Sequence, residues 1–204
     1  MLTRIALLAA LTLSGACSKS DPKPAETKPA ETKPAEPKPA EPKPAEAKPA
    51  EPKTGLASIT IPRARTKIDQ VLTGGQPTDE QIRQAKEQGV KLIVNLRSDD
   101  EKIEYEGQDK LAAELGMKYV HIPIDAATGE GLTEENAKRL AELLAEKPAM
   151  VHCASGQRVA ALLVLKAFYV DKATPDAALQ VGKDHGLSMP GLEKVVADLM
   201  AKKI

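Results

Sequence analysis

One cysteine of this chain lies in a segment suited to chemistry on an anion. Residues 149–158 read AMVHCASGQR, so an apolar run delivers Cys153 into a short glycine-containing turn before a predicted helix. Turn N–H groups, the helix N-terminus and the guanidinium of Arg158 can all bind the oxygens of a tetrahedral anion. The same positive field favours the thiolate, the nucleophilic form of cysteine. We call residues 153–158 the cradle loop and interpret it as an anion site around a nucleophile.

The elements around the cradle loop alternate between strand and helix. Apolar runs predict strands at residues 71–73, 91–96, 118–124 and 149–152. Capping residues and helical periodicity predict helices after Thr78 and Thr133 and over residues 108–115, 157–170, 175–185 and 190–202. This order predicts an α/β fold with a central parallel sheet of about four to five strands flanked by helices. Ligands bind beyond the carboxyl ends of such strands, where we expect Asn95, Arg97 and Asp125 to join Cys153.

Three motifs occur in order along this domain. They are Gly75-Gln76-Pro77, Val94-Asn95-Leu96-Arg97 and the stretch from His152 to Arg158. With the domain around them, they resemble the cysteine-based protein tyrosine and dual-specificity phosphatases. The resemblance is greatest to a bacterial branch of beta-lactamase hydrolase-like and DSP-PTPase-like domains, with GQP, VxNLR and HCxSGxR motifs. It covers about residues 70–200 and implies a dual-specificity-phosphatase-like fold.

The resemblance also implies a catalytic mechanism. Cys153 would attack phosphorus and form a cysteinyl-phosphate, which a second step hydrolyses. The leaving group would receive its proton from an Asp on a neighbouring loop. Asp125, 28 residues before Cys153, is the candidate for this general acid.

Further residues are expected to bind the substrate or support the site. Arg158 would bind the equatorial oxygens, together with the loop residues Ala154, Ser155, Gly156 and Gln157. Arg97 is a candidate for added positive charge at the pocket mouth. By resemblance, His152 would brace the loop and lower the pKa of the thiol, and Asn95 would tie its strand to the cradle loop.

Two departures from the phosphatase pattern keep other functions open. Four residues separate Cys153 from Arg158, whereas most of the superfamily has five. Four is the spacing of rhodanese-like sulfurtransferases, although it also recurs in the resembled branch. Val159 stands where the family often places a Ser or Thr that assists breakdown of the intermediate. A sulfurtransferase with a Cys153 persulfide, or a phosphate- or anion-binding module without hydrolysis, therefore remains an alternative to the phosphatase.

The N-terminal quarter of the chain has a different organisation. Residues 1–17 combine a basic start, a short apolar run and small residues before Cys17, which resembles a bacterial lipoprotein signal. We expect Cys17 to be lipidated and the protein to be anchored on the exported side of the cell envelope, in either membrane. Residues 18–55 repeat Lys-Pro-Ala-Glu every five residues and predict a disordered, extended linker. The catalytic domain would then comprise residues 56–204.

Composition excludes some partners. The chain has 29 basic and 29 acidic residues and no dense basic run, which argues against a nucleic-acid partner. Its three histidines do not stand at metal-ligand spacing with a cysteine or with one another. We therefore expect a phosphorylated substrate or other small oxyanion, with neither metal nor cofactor.

Overall fold

The computed structural model of the chain describes residues 55–101 and 107–203. Its sheet contains β1 (Arg65–Ile68), β2 (Val71–Gly74), β3 (Leu92–Asn95), β4 (Lys118–His121) and β5 (Ala149–His152). Their order across the sheet is β1-β2-β5-β3-β4. The β1 strand runs antiparallel to β2, and the other pairs are parallel. The predicted α/β fold with a central, mostly parallel sheet is therefore confirmed.

Six α-helices accompany the sheet. They are α1 (Asp79–Glu87), α2 (Gln108–Glu114), α3 (Glu134–Leu143), α4 (Gln157–Tyr169), α5 (Pro175–Asp184) and α6 (Pro190–Ala201), and a short 3₁₀ helix spans Leu56–Ser58. Thr78 forms the predicted capping box with Gln81, and the Thr133 hydroxyl accepts a hydrogen bond from the Asn136 N–H at 3.1 Å. These caps satisfy N–H groups that have no partner within the helix.

The sheet separates two hydrophobic clusters, because successive strand residues point to opposite faces. Leu72, Ile93 and Met150 lie in one cluster with residues of α1 and α2. The alternate strand residues, such as Val94 and Val151, lie in the other cluster with residues of α3 to α6. The sheet thus lies between two helical layers.

The helix that follows the cradle loop is enclosed by its neighbours. In α4, every residue from Gln157 to Leu165 is buried, and α3, α5 and α6 all pack against the helix. A helix that is apolar on every side is typical of a core element. The cradle loop is therefore anchored to the interior of the domain, and the two C-terminal helices complete that interior.

Two strand predictions need correction. The predicted strand over residues 118–124 is too long, since β4 ends at His121. Pro123 has no N–H to donate to a neighbouring strand, although Ile122 N–H still bonds to the Asn95 carbonyl at 2.9 Å. The β1 strand was not predicted, because its sequence Arg-Thr-Lys-Ile has one apolar residue and only partial burial.

The expected lipoprotein signal and Cys17 lie outside the described residues, as does the linker up to residue 54. Within residues 55–101 and 107–203, no helix has the length and apolar character needed to cross a membrane.

Candidate active site

The cradle loop begins where the central strands end. Gly74 of β2, His152 of β5, Asn95 of β3 and His121 of β4 are paired in one row across the sheet. Cys153 follows directly after this row, at the carboxyl edge. The structure therefore brings the cradle loop together with the exits of β2, β3 and β4.

Cys153 lies at the base of the cradle loop and is only 1% exposed. The Gly156 N–H donates a hydrogen bond to its Sγ at 3.1 Å. Gly156 has a φ of +83° and is the N-cap of α4, so the loop needs a residue that tolerates the left-handed region. Ala154 and Ser155 are exposed above the thiol. The Gly156 N–H and the N-terminus of α4 therefore both direct partial positive charge at this sulfur.

Arg158 lies beside Cys153 with a side chain that is almost entirely buried. Its Nη1 and Nη2 hold the two carboxylate oxygens of Glu101 as a bidentate pair, and Nη1 also donates to the Ile124 carbonyl at 2.9 Å. Burial alone would lower the pKa of Arg158, but the Glu101 hydrogen bonds and the charge of Cys153 raise it. These contacts use three of the five guanidinium N–H groups. The edge formed by Nε and the second Nη2 proton is left for the Cys153 side chain, to which the guanidinium also bonds, and for an oxyanion.

Glu101 is a central residue of the site that sequence reasoning missed. Besides the Arg158 pair, its carboxylate meets Arg97 Nε at 3.0 Å and accepts from the N–H and hydroxyl of Ser98 at 3.2 and 2.9 Å. The Arg158 hydrogen bond is the main reason that its pKa falls to about 2. Ser98 and Glu101 have the S-x-x-E spacing of a capping box, which could have predicted the local turn. No local signal predicts the contact with Arg158.

Arg97 belongs to a polar chain that supports Glu101. Its Nη1 donates to Gln76 Oε1 at 3.2 Å, and Gln76 Nε2 donates to Gln108 Oε1 at 2.7 Å. The Arg97 side chain is 11% exposed. The structure therefore places Arg97 behind Glu101, and its predicted contact with a ligand stays a prediction.

The Gly-Gln-Pro turn packs directly against the cradle loop. The Gln76 N–H donates to the Ala154 carbonyl at 3.1 Å. A Cβ on Gly75 would lie 2.8 Å from that carbonyl oxygen and 2.8 Å from Cβ of Pro62. The motif thus requires glycine because two backbones approach each other closely.

We expect Gly75→Ala to destabilise the fold by about 1–3 kcal/mol, since neither the Ala154 carbonyl nor Pro62 can move freely. Urea denaturation of the full chain measures this change. Gly191→Ala is the matched control, because a Cβ there meets nothing within 4 Å and the residue is helical. The control should change stability by less than about 1 kcal/mol. Equal urea midpoints for Gly75→Ala and Gly191→Ala would contradict the close approach of Gly75 to the Ala154 carbonyl and Pro62.

Asp125 follows Ile124, whose carbonyl accepts from Arg158, so it lies at the cradle as expected. Its Oδ1 accepts hydrogen bonds from the N–H of Ala127 at 2.9 Å, the N–H of Thr128 at 2.6 Å and the Thr128 hydroxyl at 2.8 Å. These bonds, with the Thr128 backbone first, lower its pKa. A general acid must carry a proton, whereas this arrangement favours the ionised carboxylate. All three bonds reach the same oxygen, Oδ1, and the acid role of Asp125 stays a prediction.

His152 and Asn95, the two residues predicted to support the site, both lie at the strand ends beside the cradle loop. His152 is fully buried, and that burial lowers its pKa to about 3, so the ring is neutral and supplies no positive charge to the thiol. The side-chain oxygen Oδ1 of Asn95 accepts from the Arg97 backbone N–H at 3.0 Å, and the Asn95 side chain also bonds to Tyr119. A backbone hydrogen bond from Leu96 N–H to the His152 carbonyl at 2.8 Å joins the ends of β3 and β5, and the roles predicted for His152 and Asn95 stay predictions.

The Gln157 side chain links the cradle loop to the connection between α5 and α6. Its Nε2 donates to the Gly186 carbonyl at 2.8 Å, and its Oε1 accepts from the Ser188 N–H at 2.9 Å. This side chain therefore faces the protein, and only the backbone of Gln157 is placed to contribute to anion binding as predicted.

Metal ligands do not cluster in the part of the chain that the structure describes: no three His, Cys, Asp or Glu side chains there could hold a metal ion.

Several known proteins are similar to this chain in sequence or in fold. The beta-lactamase hydrolase-like protein of Xylella fastidiosa strain Temecula1 is 30% identical over 127 residues, covering 59% of this chain and 28% of that protein. The chain thus spans less than a third of that relative's length. A DUF442 structure from Shewanella putrefaciens CN-32 is 23% identical and covers 70% of this chain and 93% of its own, with a TM-score of 0.55. PTPMT1, crystallised with PI(5)P, is 19% identical and covers 67% of this chain and 94% of its own, with a TM-score of 0.52.

The sequence model of one family spans most of the domain described above. It matches residues 61–186, which include the Gly-Gln-Pro turn, the β3 motif and the complete cradle loop. The resemblance predicted from the three motifs is thereby confirmed. The chain belongs to the family described as DSP-PTPase phosphatase fused to NAD+ kinase, within the superfamily of tyrosine and dual-specificity phosphatases.

Proposed function

We propose that this protein hydrolyses phosphate monoesters through a cysteinyl-phosphate on Cys153. The observation that carries the proposal is the position of the Cys153 sulfur, which accepts the Gly156 N–H at the N-terminus of α4 beside Arg158. The free edge of Arg158 and the loop amides can hold three phosphate oxygens while the thiolate attacks phosphorus in line. Protein groups hold the rest of the guanidinium, so its orientation is fixed before the substrate arrives.

A phosphorylated substrate also agrees with the family. PTPMT1, which shares this fold, was crystallised with a phosphoinositide, PI(5)P. That likeness supports a phosphate ligand for the cradle loop and leaves the rest of the substrate to experiment. We therefore propose that the group recognised by the cradle loop is a phosphate monoester.

Trapping the intermediate tests this function. The reduced full chain is mixed with 4-nitrophenyl phosphate, quenched in acid and digested, and the peptide that carries Cys153 is weighed by mass spectrometry. We expect it to gain the mass of one phosphoryl group. Val159 is 1% exposed and offers no hydroxyl to assist hydrolysis, which favours accumulation of the intermediate.

A second sample receives thiosulfate and cyanide in place of the ester, because the four-residue spacing of the cradle loop also suits sulfur transfer. A gain of one sulfur atom on the same peptide, with thiocyanate formed and no phosphate released from the ester, would replace the phosphatase by a sulfurtransferase. If neither reagent modifies Cys153 while tungstate still binds, the cradle loop only binds anions and the proposal fails.

We also propose that the domain is exported and held at the cell envelope by a lipid on Cys17. This rests on the sequence of residues 1–17 alone. Labelling cells with a radioactive fatty acid tests it: the wild-type chain should carry the label and Cys17→Ser should not. Label on both proteins, or on neither, would contradict the anchor.

A further inference from the structure

The backbone of the Gly-Gln-Pro turn is fixed against the start of the cradle loop. The Gln76 N–H donates to the Ala154 carbonyl at 3.1 Å, and Gly75 forms an isolated antiparallel bridge with Ser155. On its other side, the Gly75 N–H donates to the Pro62 carbonyl at 2.6 Å. The position of Gln76 is therefore set by the same backbone contacts that hold the first residues of the cradle loop.

The Gln76 side chain leads to the arginine at the far end of the same loop. Its Oε1 accepts from Arg97 Nη1 at 3.2 Å, and Arg97 Nε lies 3.0 Å from Glu101 Oε2. Glu101 then holds the guanidinium of Arg158 with both carboxylate oxygens. The side chains of Arg97, Glu101 and Arg158 are 11%, 26% and 4% exposed, and charges placed in this way are screened less than surface charges. A shift of Arg97 would therefore be passed through Glu101 to Arg158.

The neighbouring hydrogen bonds fix which way the Gln76 amide points. Gln108 Nε2 donates to the Pro77 carbonyl at 2.9 Å and to Asp79 Oδ1 at 3.3 Å, and both of these oxygens are acceptors. Gln108 therefore turns its Oε1 to Gln76, whose Nε2 donates to it at 2.7 Å. This leaves Oε1 of Gln76 to face Arg97. Because Gln108 is only 4% exposed, its amide depends on these partners and not on water.

We propose that Gln76 is a positioning residue for phosphate binding and transfer, which holds the Arg158 guanidinium in register with the amides of the cradle loop. Gln76 acts through Arg97 and Glu101, and this role requires an amide at residue 76. The proposal rests on the phosphatase function proposed above.

The two ends of the cradle loop need such a link because they bind the same group. The loop amides and the guanidinium donate to oxygens of one phosphoryl group, so both must be aimed at one phosphorus atom. A misplacement of about 1 Å costs about 10²-fold in rate. Gln76 contacts both parts, through its N–H at Ala154 and its Oε1 at Arg97. One residue thus sets the relative position of the amides and the arginine.

Removing the side-chain amide tests the proposal. Gln76→Leu keeps the backbone contacts and a similar side-chain size, but it removes the hydrogen bonds to Arg97 and Gln108. In the full chain, we expect kcat/KM for 4-nitrophenyl phosphate to fall by about 10–10²-fold, and the affinity for tungstate to fall with it. Gln84→Leu is the matched control, because Gln84 is exposed on α1, and it should change neither quantity. Equal values for Gln76→Leu and the wild type would overturn the proposal.

A double-mutant cycle separates positioning from a general effect on the fold. Arg158→Lys already lacks the planar fork, so adding Gln76→Leu to it should lower kcat/KM and tungstate affinity by less than about threefold further. A merely structural role would give the same fold-change with arginine or lysine at residue 158. That result would overturn the proposal.

Gln76→Glu tests the requirement for an amide. A carboxylate at residue 76 would present an acceptor to Gln108 Oε1, and Gln108 cannot turn round without directing that oxygen at Asp79. We expect Gln76→Glu to lose as much kcat/KM as Gln76→Leu, whereas Gln84→Glu should lose none. Wild-type kcat/KM in Gln76→Glu would contradict the requirement. If circular dichroism shows that Gln76→Leu does not fold, Gln76→Glu takes its place in the double-mutant cycle.

Failure of the phosphatase function would give a different result. The wild-type chain would then show no Cys153-dependent phosphate release. The tungstate affinities of the wild type, the two single variants and the double variant would still report how Arg158 is positioned, because they need no turnover. Equal losses of tungstate affinity with arginine and with lysine at residue 158 would overturn the role of Gln76 in that case as well.

Discussion

Replacing Cys153 with serine should slow phosphate release from 4-nitrophenyl phosphate by at least about 10⁴-fold, because a serine hydroxyl is a much weaker nucleophile than a cysteine thiolate. Anion binding should be retained or become tighter. The serine oxygen can still accept the Gly156 N–H, Arg158 keeps its partners, and one negative charge disappears from the cradle loop. Phosphate release and calorimetric titration with tungstate measure the two effects.

The other cysteine of the chain supplies the control for this prediction. Cys17→Ser replaces the cysteine proposed to carry the lipid, 136 residues before Cys153, so phosphate release in detergent should be unchanged. A Cys153→Ser protein that still hydrolyses the ester would exclude the cysteinyl-phosphate. A folded variant that no longer binds tungstate would show that the thiol shapes the site instead of reacting in it.

Replacing Arg158 with lysine should reduce kcat/KM by about 10²–10³-fold, the usual cost of removing a preorganised oxyanion donor. The charge is kept, but the planar fork is lost. In the native site the guanidinium bonds to Glu101 and to the Ile124 carbonyl while keeping one edge free. A lysine ammonium cannot hold Glu101 at two points and also present two parallel donors to phosphate. Steady-state kinetics and the tungstate affinity should therefore both decline.

Arg139→Lys is the matched control for the arginine, because Arg139 is exposed on α3 and the same atoms are exchanged. It should leave kcat/KM unchanged. If Arg158→Lys retained activity within about threefold, one positive charge would suffice and the fork geometry would not matter. The prediction for Arg158 would then be wrong, whereas the role of Cys153 would still stand.

Much of the fold follows from local sequence because the strands are short apolar runs and the helices carry clear caps. The strand ending at Asn95 and the helix capped by Thr133 were predicted in this way. The β1 strand illustrates the limit of such patterns. It is polar and lies at the edge of the sheet, so it is defined by its pairing with β2 and not by its own apolar residues.

The cradle loop could be predicted because its residues are contiguous, whereas its supports could not. In the sequence, Glu101 is one of several acidic residues in the polar segment that follows β3. Its partner Arg158 lies 57 residues later in the chain. The role of Asp125 follows from the resemblance and from its spacing to Cys153, and neither carries information about the donors that surround its carboxylate. The resemblance also assigns His152 a supporting role, but it does not reveal the burial that keeps the His152 ring neutral.

The ion pairs around Arg158 have a consequence for how an anion arrives. Arg97 and Arg158 carry two positive charges, and the carboxylates of Glu101 and Asp125 carry two negative ones, so the charges of these four side chains balance. The formal net charge of the chain is also +0. Because such a site produces only a weak long-range electric field, the rate at which a phosphate compound associates with it should depend only weakly on ionic strength. Phosphate compounds are then distinguished from other molecules only on contact, when Arg158 donates hydrogen bonds to their oxygens.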